Sequence, residues 1–166
     1  MNTNTNDCCQ DTILETLHPL AEEWARTRLL GTSVYGIRRY TTRGWLAAHL
    51  DRMDTHVISV IIHVAHGGGG TWPLVISDHQ GAVHRVTLEP GQMLFYESAK
   101  LPHGRPEPFA GQFYDNIFVH FKPSSKNWWK VGGVRWDLGQ LPAWKVSLEQ
   151  SDNGRIQKIV KKVLSK

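Results

Sequence analysis

The sequence predicts a mainly β protein with flanking helices, and three observations carry that expectation. Short runs rich in β-branched and aromatic residues recur between about residues 34 and 123, clusters of Gly, Pro and Asp punctuate them, and helical periodicity is confined to the two ends. Regular short strands with such punctuation read as a sandwich, a jelly roll or a barrel. With 166 residues, one domain over 1–166 is the natural expectation, large enough to bury a core. Its parts are a helical N-terminal region at about 11–31, a β core at about 34–123, and a Trp-rich, basic extension at about 124–166.

Taken in order, Asp11-Thr12-Ile13-Leu14-Glu15 offers a helix N-cap followed by Glu. Ile13, Leu14, Leu17, Leu20 and Ala21 then recur at helical spacing, and Trp24 and Ala25 extend the face. Pro19 interrupts this pattern, which predicts a kink or two short helices buttressing the β core. Strands are predicted at residues 34–40, 55–64, 72–77, 82–88, 93–97 and 112–121. Turns are predicted at 67–70, 78–81, 89–91 and 106–111. The glycines from Gly67 to Gly70 lack a following Lys-Ser or Lys-Thr, so they read as a hairpin tip and not a phosphate cradle. Beyond 124, Trp128, Trp129, Trp136 and Trp144 suggest aromatic packing against the β core or a substrate mouth. Ile156, Ile159, Val160 and Val163 predict an amphipathic helix from Ser151 onwards.

Composition excludes several classes. Hydrophobic residues at 40% and charged residues at 20% fit a globular protein and not a disordered chain. A net charge of +4 is mildly basic, and five Lys or Arg residues of the last twelve positions supply much of it. No nucleic-acid-reading motif accompanies that charge, so a nucleic-acid partner is not expected. Cys8 and Cys9 are adjacent and cannot form a structural framework by themselves. Residues 1–7 are polar, without the apolar core of a secretory signal, and no run reaches the roughly twenty apolar residues of a membrane span. A cytoplasmic protein is the default expectation.

The chemistry concentrates at His49-Leu50-Asp51, followed some fifty residues later by His103-Gly104-Arg105-Pro106. Two histidines and a carboxylate are the ligand set of the facial triad, which holds a non-haem Fe(II) and leaves one face open. On a strand, His49 and Asp51 would point to the same side. Of the nine histidines, His18, His66, His79 and His84 sit in helix- or loop-like contexts and read as surface or turn residues. His56 and His63 lie on an alternating strand and read as satisfied core histidines.

Tyr40, His49-x-Asp51, the Pro90-to-Phe95 segment, His103, Gly111 and Asn116-Ile117-Phe118 together resemble the prolyl 4-hydroxylase-type Fe(II)/2-oxoglutarate dioxygenases. The resemblance covers roughly residues 34–123. It implies a double-stranded β-helix, a form of jelly roll, preceded by helices. It also implies Fe(II) held by His49, Asp51 and His103, with 2-oxoglutarate as cosubstrate and ascorbate as an accessory reductant. Tyr40, nine residues before His49, takes the position of the family's cosubstrate-contacting Tyr. The implied reaction couples decarboxylation of 2-oxoglutarate to succinate with hydroxylation of a C–H bond, on a prolyl residue or an amino acid.

One departure stands out. The family carries a Lys or Arg nine or ten residues after the distal His to pair with the far carboxylate of 2-oxoglutarate, and here those positions are Gln112 and Phe113. A buried carboxylate needs a cation or several donors. Arg105 and His120 are the candidate substitutes, the second if strand alternation turns it inward with Asn116 and Phe118. The missing anchor keeps a second class open, a non-catalytic jelly-roll metal-binding or sensor protein. The partners expected for the oxygenase are O₂ and a peptide or small-molecule substrate. The loop at Arg43-Gly44-Trp45 and the segment 67–72 are expected to wall the substrate pocket. Trp45 and Trp72 would then meet an apolar ring, and Arg38, Arg39 and Arg43 an acidic group.

Overall fold

The computed structural model describes residues 5–125, with side chains from Cys9 onwards. All but the first two residues of the Trp-rich, basic extension lie outside the described residues, as does the helix expected from Ser151.

Helix α1 (Thr5–Ala25) runs through Pro19 without a break, where the sequence pattern suggested a kink or two helices. Proline removes one backbone donor and costs a helix interior about 3 kcal/mol. Leu17 and Ala21, on either side of it, are buried in the core, and burying a large apolar side chain contributes roughly 1.5–3 kcal/mol. Packing therefore offsets the local penalty. The helix also ends before residue 31. Arg26 adopts a left-handed φ of 53°, which stops the helix, and Glu22 Oε1 accepts a hydrogen bond from the backbone N–H of Leu29 (2.8 Å).

Eight strands follow: β1 (Leu29–Thr41), β2 (Leu46–His49), β3 (Ile58–Gly67), β4 (Leu74–Ser77), β5 (Val83–Val86), β6 (Met93–Tyr96), β7 (His103–Arg105) and β8 (Phe113–Pro123). They form two four-stranded antiparallel sheets, ordered β1-β8-β3-β6 and β2-β7-β4-β5. This interleaved order is a jelly roll, so the mainly β expectation holds. The six expected strands are present with shifted ends: β1 begins at Leu29 and β3 only at Ile58. Strands β2 and β7 were not expected from the pattern. At four and three residues, they are too short to show a period of two.

Strand alternation sorts the interior. On β3 and β8, Ile58, Val60, Val119 and Phe121 pack with Leu17, Ala21 and Phe95 beneath α1. Ile61, Leu74, Ile76, Val86, Leu88, Leu94 and Tyr96 fill the space between the sheets. Trp72, Phe109 and Tyr114, with Tyr40 against them, form a third, aromatic cluster. A bulge on β1 sets the four residues Tyr35 to Arg38 against the three from Phe118 to Asn116, so Tyr35 and Arg38 face the same side.

Gly91 and Gly104 are among the glycines that the fold requires. Gly91 has φ +85°, and Gln92 N–H donates to Glu89 O at 2.9 Å, a turn with Pro90 and Gly91 at its centre. At Gly104, a Cβ would lie 2.7 Å from Ala47 O and 2.8 Å from Leu46 O. Only glycine lets β7 approach β2 this closely.

Candidate metal centre

His49 ends β2 and His103 begins β7, and the two are paired in register, with ring centroids 4.4 Å apart. Asp51 is not on the strand, since β2 stops at His49. The loop carries it instead, fixed by Asp51 N–H donating to Ser98 O at 2.9 Å. One ligand atom from each of His49, Asp51 and His103 lies within 4.8 Å of the others. Asp51 Oδ1 is 3.5 Å from His49 Nε2 and 4.0 Å from His103 Nε2.

The tautomers follow from the backbone. His49 Nδ1 is 2.9 Å from Ala47 O, and His103 Nδ1 is 2.9 Å from Leu101 O. A carbonyl only accepts, so each Nδ1 carries the proton and each neutral ring presents a bare Nε2. Two imidazole lone pairs and a carboxylate therefore converge, the state in which these groups bind a divalent metal. Adjacent ligands of such an ion stand roughly 3 Å apart, given bonds of about 2.1 Å, so the spacing fits with a small closure.

Electrostatics act in opposite senses on the two rings. Contact with the Asp51 carboxylate raises the His49 pKa, against the opposing effect of burial. Burial pushes Asp51 up, but the His49 contact and the charges of His103 and His120 outweigh it, and the net shift is downward. Burial, then repulsion from His49, lowers His103 to about 4. His120 is lowered to about 4 by burial first and then by His56.

The centre lies in the wall of a cavity of about 280 Å³. Leu46, Ile61, Leu74 and Phe118 line its apolar part, and Tyr40, Arg105 and His120 also line it. Arg105 is 3% exposed. Its guanidinium lies 4.8 Å from the ring centres of Trp72 and Tyr114 and donates to Trp72 O. Among the described residues it has no carboxylate partner. Burial lowers its pKa, countered by Tyr114 and Tyr40. Tyr40 stands edge-on to Trp72 at 5.1 Å. His120 bonds through Nδ1 to Ser59 Oγ (2.7 Å).

Other expected residues are placed elsewhere. Trp72 is 2% exposed and packed in the aromatic cluster, Trp45 stands 62% exposed, and neither lines the cavity. Arg39 is held by Asp115 through two hydrogen bonds, of 2.9 and 2.7 Å. Arg43 takes φ 68° in the turn before β2. Gln112 is exposed, while Phe113 stacks under Arg39. Arg38 does reach the cavity, with Tyr35 and Arg52, which pattern reasoning had not assigned to it. His63 is a satisfied core histidine, bonded to Asn116 and His66. His84, expected at the surface, is buried against Asp78 at 2.8 Å. Ser59 and Ser98 had no signal in the sequence, because isolated serines on or beside strands are common.

Solved structures share this fold. A prolyl-4-hydroxylase from Pseudomonas putida matches at 20% identity and a TM-score of 0.51, covering 68% of this chain and 63% of that one. An oxidoreductase of the 2OG-Fe(II) oxygenase family from Burkholderia pseudomallei matches at 16% identity and a TM-score of 0.54, covering 68% and 55%. AviO1 from Streptomyces viridochromogenes Tue57 matches at 16% identity and a TM-score of 0.53, covering 67% and 58%. The match thus takes in 55% to 63% of the length of these structures. At such identities the likeness shows the fold alone, the jelly roll. No protein-family model matches the sequence, and no curated protein matches it. Among the described residues, no helix is long and apolar enough to cross a membrane.

Proposed function

We propose that the chain is an Fe(II)- and 2-oxoglutarate-dependent oxygenase that hydroxylates a C–H bond, on a prolyl residue or an amino acid. His49, Asp51 and His103 would hold the iron, which supplies the centre where O₂ is activated at the expense of 2-oxoglutarate. The single observation that carries this reading is Arg105, a buried guanidinium that lines the cavity without a carboxylate partner among the described residues. A buried charge is stable only when paired, and its planar fork suits a carboxylate. Arg105 and His103 are alternate residues of β7, so both side chains face the cavity about 6–7 Å apart along the strand. That spacing suits a five-carbon diacid, with its oxoacid end at the metal ligands and its far carboxylate on Arg105.

The remaining residues divide the work. Tyr40 would donate its hydroxyl hydrogen bond to the same carboxylate. Leu46, Ile61, Leu74 and Phe118 exclude water from the cosubstrate, which strengthens each polar contact inside. Tyr35, Arg38 and Arg52 would meet the substrate. O₂ and a peptide or small-molecule substrate are the partners this reaction needs, with ascorbate keeping the iron reduced.

The test is succinate release from 2-oxoglutarate by the Fe(II)-loaded full chain with ascorbate. Mass spectrometry of proline-rich peptides and free amino acids would follow, seeking a gain of one oxygen. Metal uptake with neither binding nor turnover of millimolar 2-oxoglutarate would instead assign a non-catalytic metal-binding jelly roll.

A further inference from the structure

Ser59 and Ser98 are fully buried polar residues beside the metal centre. They join three consecutive close contacts: His120 Nδ1 to Ser59 Oγ (2.7 Å), Ser59 Oγ to Ser98 Oγ, and Ser98 Oγ to the backbone oxygen of His56 (2.8 Å). Each contact needs one proton. The two hydroxyls supply two, and the carbonyl supplies none. The third proton must therefore sit on Nδ1 of His120. The chain then has one direction: His120 Nδ1–H to Ser59, Ser59 to Ser98, Ser98 to the carbonyl of His56. Ser59 also lies 3.4 Å from Asp51 Oδ2, but its only proton is already placed.

A neutral imidazole carries one N–H, so Nε2 of His120 is a bare lone pair. His120 is 3% exposed and lines the cavity, yet Nε2 has no hydrogen-bond partner among the described residues. The nearby Tyr35 hydroxyl is engaged by His56 Nε2 at 3.0 Å, and Arg52 is engaged by Asp54. That lone pair opens on the cavity, where a bound molecule can reach it.

We propose that Nε2 of His120 is a fixed hydrogen-bond acceptor for the substrate, which presents an amine N–H, amide N–H or hydroxyl to it beside the metal centre. Ser59 and Ser98 are the positioning residues that lock the ring in the accepting tautomer. This rests on the oxygenase reading for the substrate, but the tautomer itself does not. It also removes His120 as an anchor for 2-oxoglutarate, because a lone pair repels a carboxylate, and leaves that role to Arg105. The ring nitrogen of a peptidyl proline has no proton. Such a substrate would have to offer a neighbouring amide N–H, whereas a free amino acid offers its ammonium group.

The test begins with long-range ¹⁵N–¹H NMR on the metal-free full chain with ¹⁵N-labelled histidine, near neutral pH. His120 is expected to show protonated Nδ1 and bare Nε2, and Ser59→Ala should shift it towards the Nε2–H form. An Nε2–H tautomer in the unsubstituted protein, or a tautomer indifferent to Ser59→Ala, overturns the inference whether or not 2-oxoglutarate binds. The second arm uses free amino acids and prolyl peptides as probes of succinate release. Methylating the donor groups of any stimulating compound should lower kcat/KM at least about tenfold. His120→Asn, whose amide can still donate to Ser59, should do the same while moving the KM for 2-oxoglutarate by less than about threefold. Full stimulation by donor-free analogues, or a loss confined to 2-oxoglutarate, overturns it. If no succinate forms at all, the oxygenase reading fails and the tautomer measurement alone decides this inference.

Discussion

Replacing Arg105 by Met separates the functional and structural roles of that residue by the sign of two effects. The change keeps much of the side-chain volume and removes the charge. On the structural side it deletes the hydrogen bond to Trp72 O, worth about 1.5–3 kcal/mol for a charged donor. It also deletes cation–π contacts to Trp72 and Tyr114, both at 4.8 Å, each worth roughly 0.5–2 kcal/mol. Against this loss of about 2.5–7 kcal/mol stands relief of a buried guanidinium, several kcal/mol per ion. The free protein should therefore be nearly as stable as before, within about 2 kcal/mol by chemical denaturation. Binding of 2-oxoglutarate should behave differently. Truncating one side of a buried charge pair costs about 2–5 kcal/mol, which is a loss of at least about 30-fold in affinity. Anaerobic titration of 2-oxoglutarate into the Fe(II)-loaded protein, followed by the visible charge-transfer band, measures this. An affinity within threefold of the unsubstituted protein, together with a large loss of stability, would refute the assignment and make Arg105 a packing residue.

Three further outcomes are expected. Asp51→Ala removes a ligand and its charge compensation, so metal content by elemental analysis should collapse. The metal-dependent gain in stability, about 2.7 kcal/mol at a hundredfold excess over Kd, should vanish with it, as should the accompanying rise in Tm. Gly104→Ala places a Cβ 2.7 Å from Ala47 O, a backbone atom that cannot swing aside. Denaturation should show a loss of about 1–3 kcal/mol, and metal affinity should fall as β2 and His49 are pushed from His103. Acid should destabilise the metal-free protein over a defined window. His103 and His120 sit at about 4 when folded against about 6.5 unfolded, so the unfolded chain binds more protons between those values. Their stabilising contribution is complete above about pH 6.5 and is lost as pH falls to about 4, by up to roughly 3 kcal/mol per histidine. Denaturation midpoints that stay flat from pH 7 to 4 would contradict this.

The residues of the candidate centre were legible in the sequence because their chemistry is rare and their order is fixed. The strands that carry them were not. β2 and β7 are held in place by pairing with each other and with β4, a long-range cause that leaves no periodic trace in three or four residues. The same limit explains Asp51, which a loop hydrogen bond to Ser98 positions instead of the strand alternation that its spacing suggested. Trp72 and His84 failed in another way. Both fall in predicted strands, where the pattern does not say which face is covered, and tertiary packing buries both. Arg105 was legible only as a chemical need, a cation wanted somewhere near the distal His. Its burial and its lack of a carboxylate partner needed the folded chain.

The orientation of both imidazoles of the candidate centre is set by main-chain oxygens, those of Ala47 and Leu101. Every residue type offers the same oxygen, so no single substitution at position 47 or 101 deletes the acceptor. A histidine oriented by an Asp or Asn side chain, by contrast, loses its partner to a single substitution. Here mutation can reach the ring orientation only by moving the strand path itself, through positions such as Gly104. The centre is thus insulated from drift in its immediate surroundings, and the pocket beyond it can diversify without disturbing the ligands.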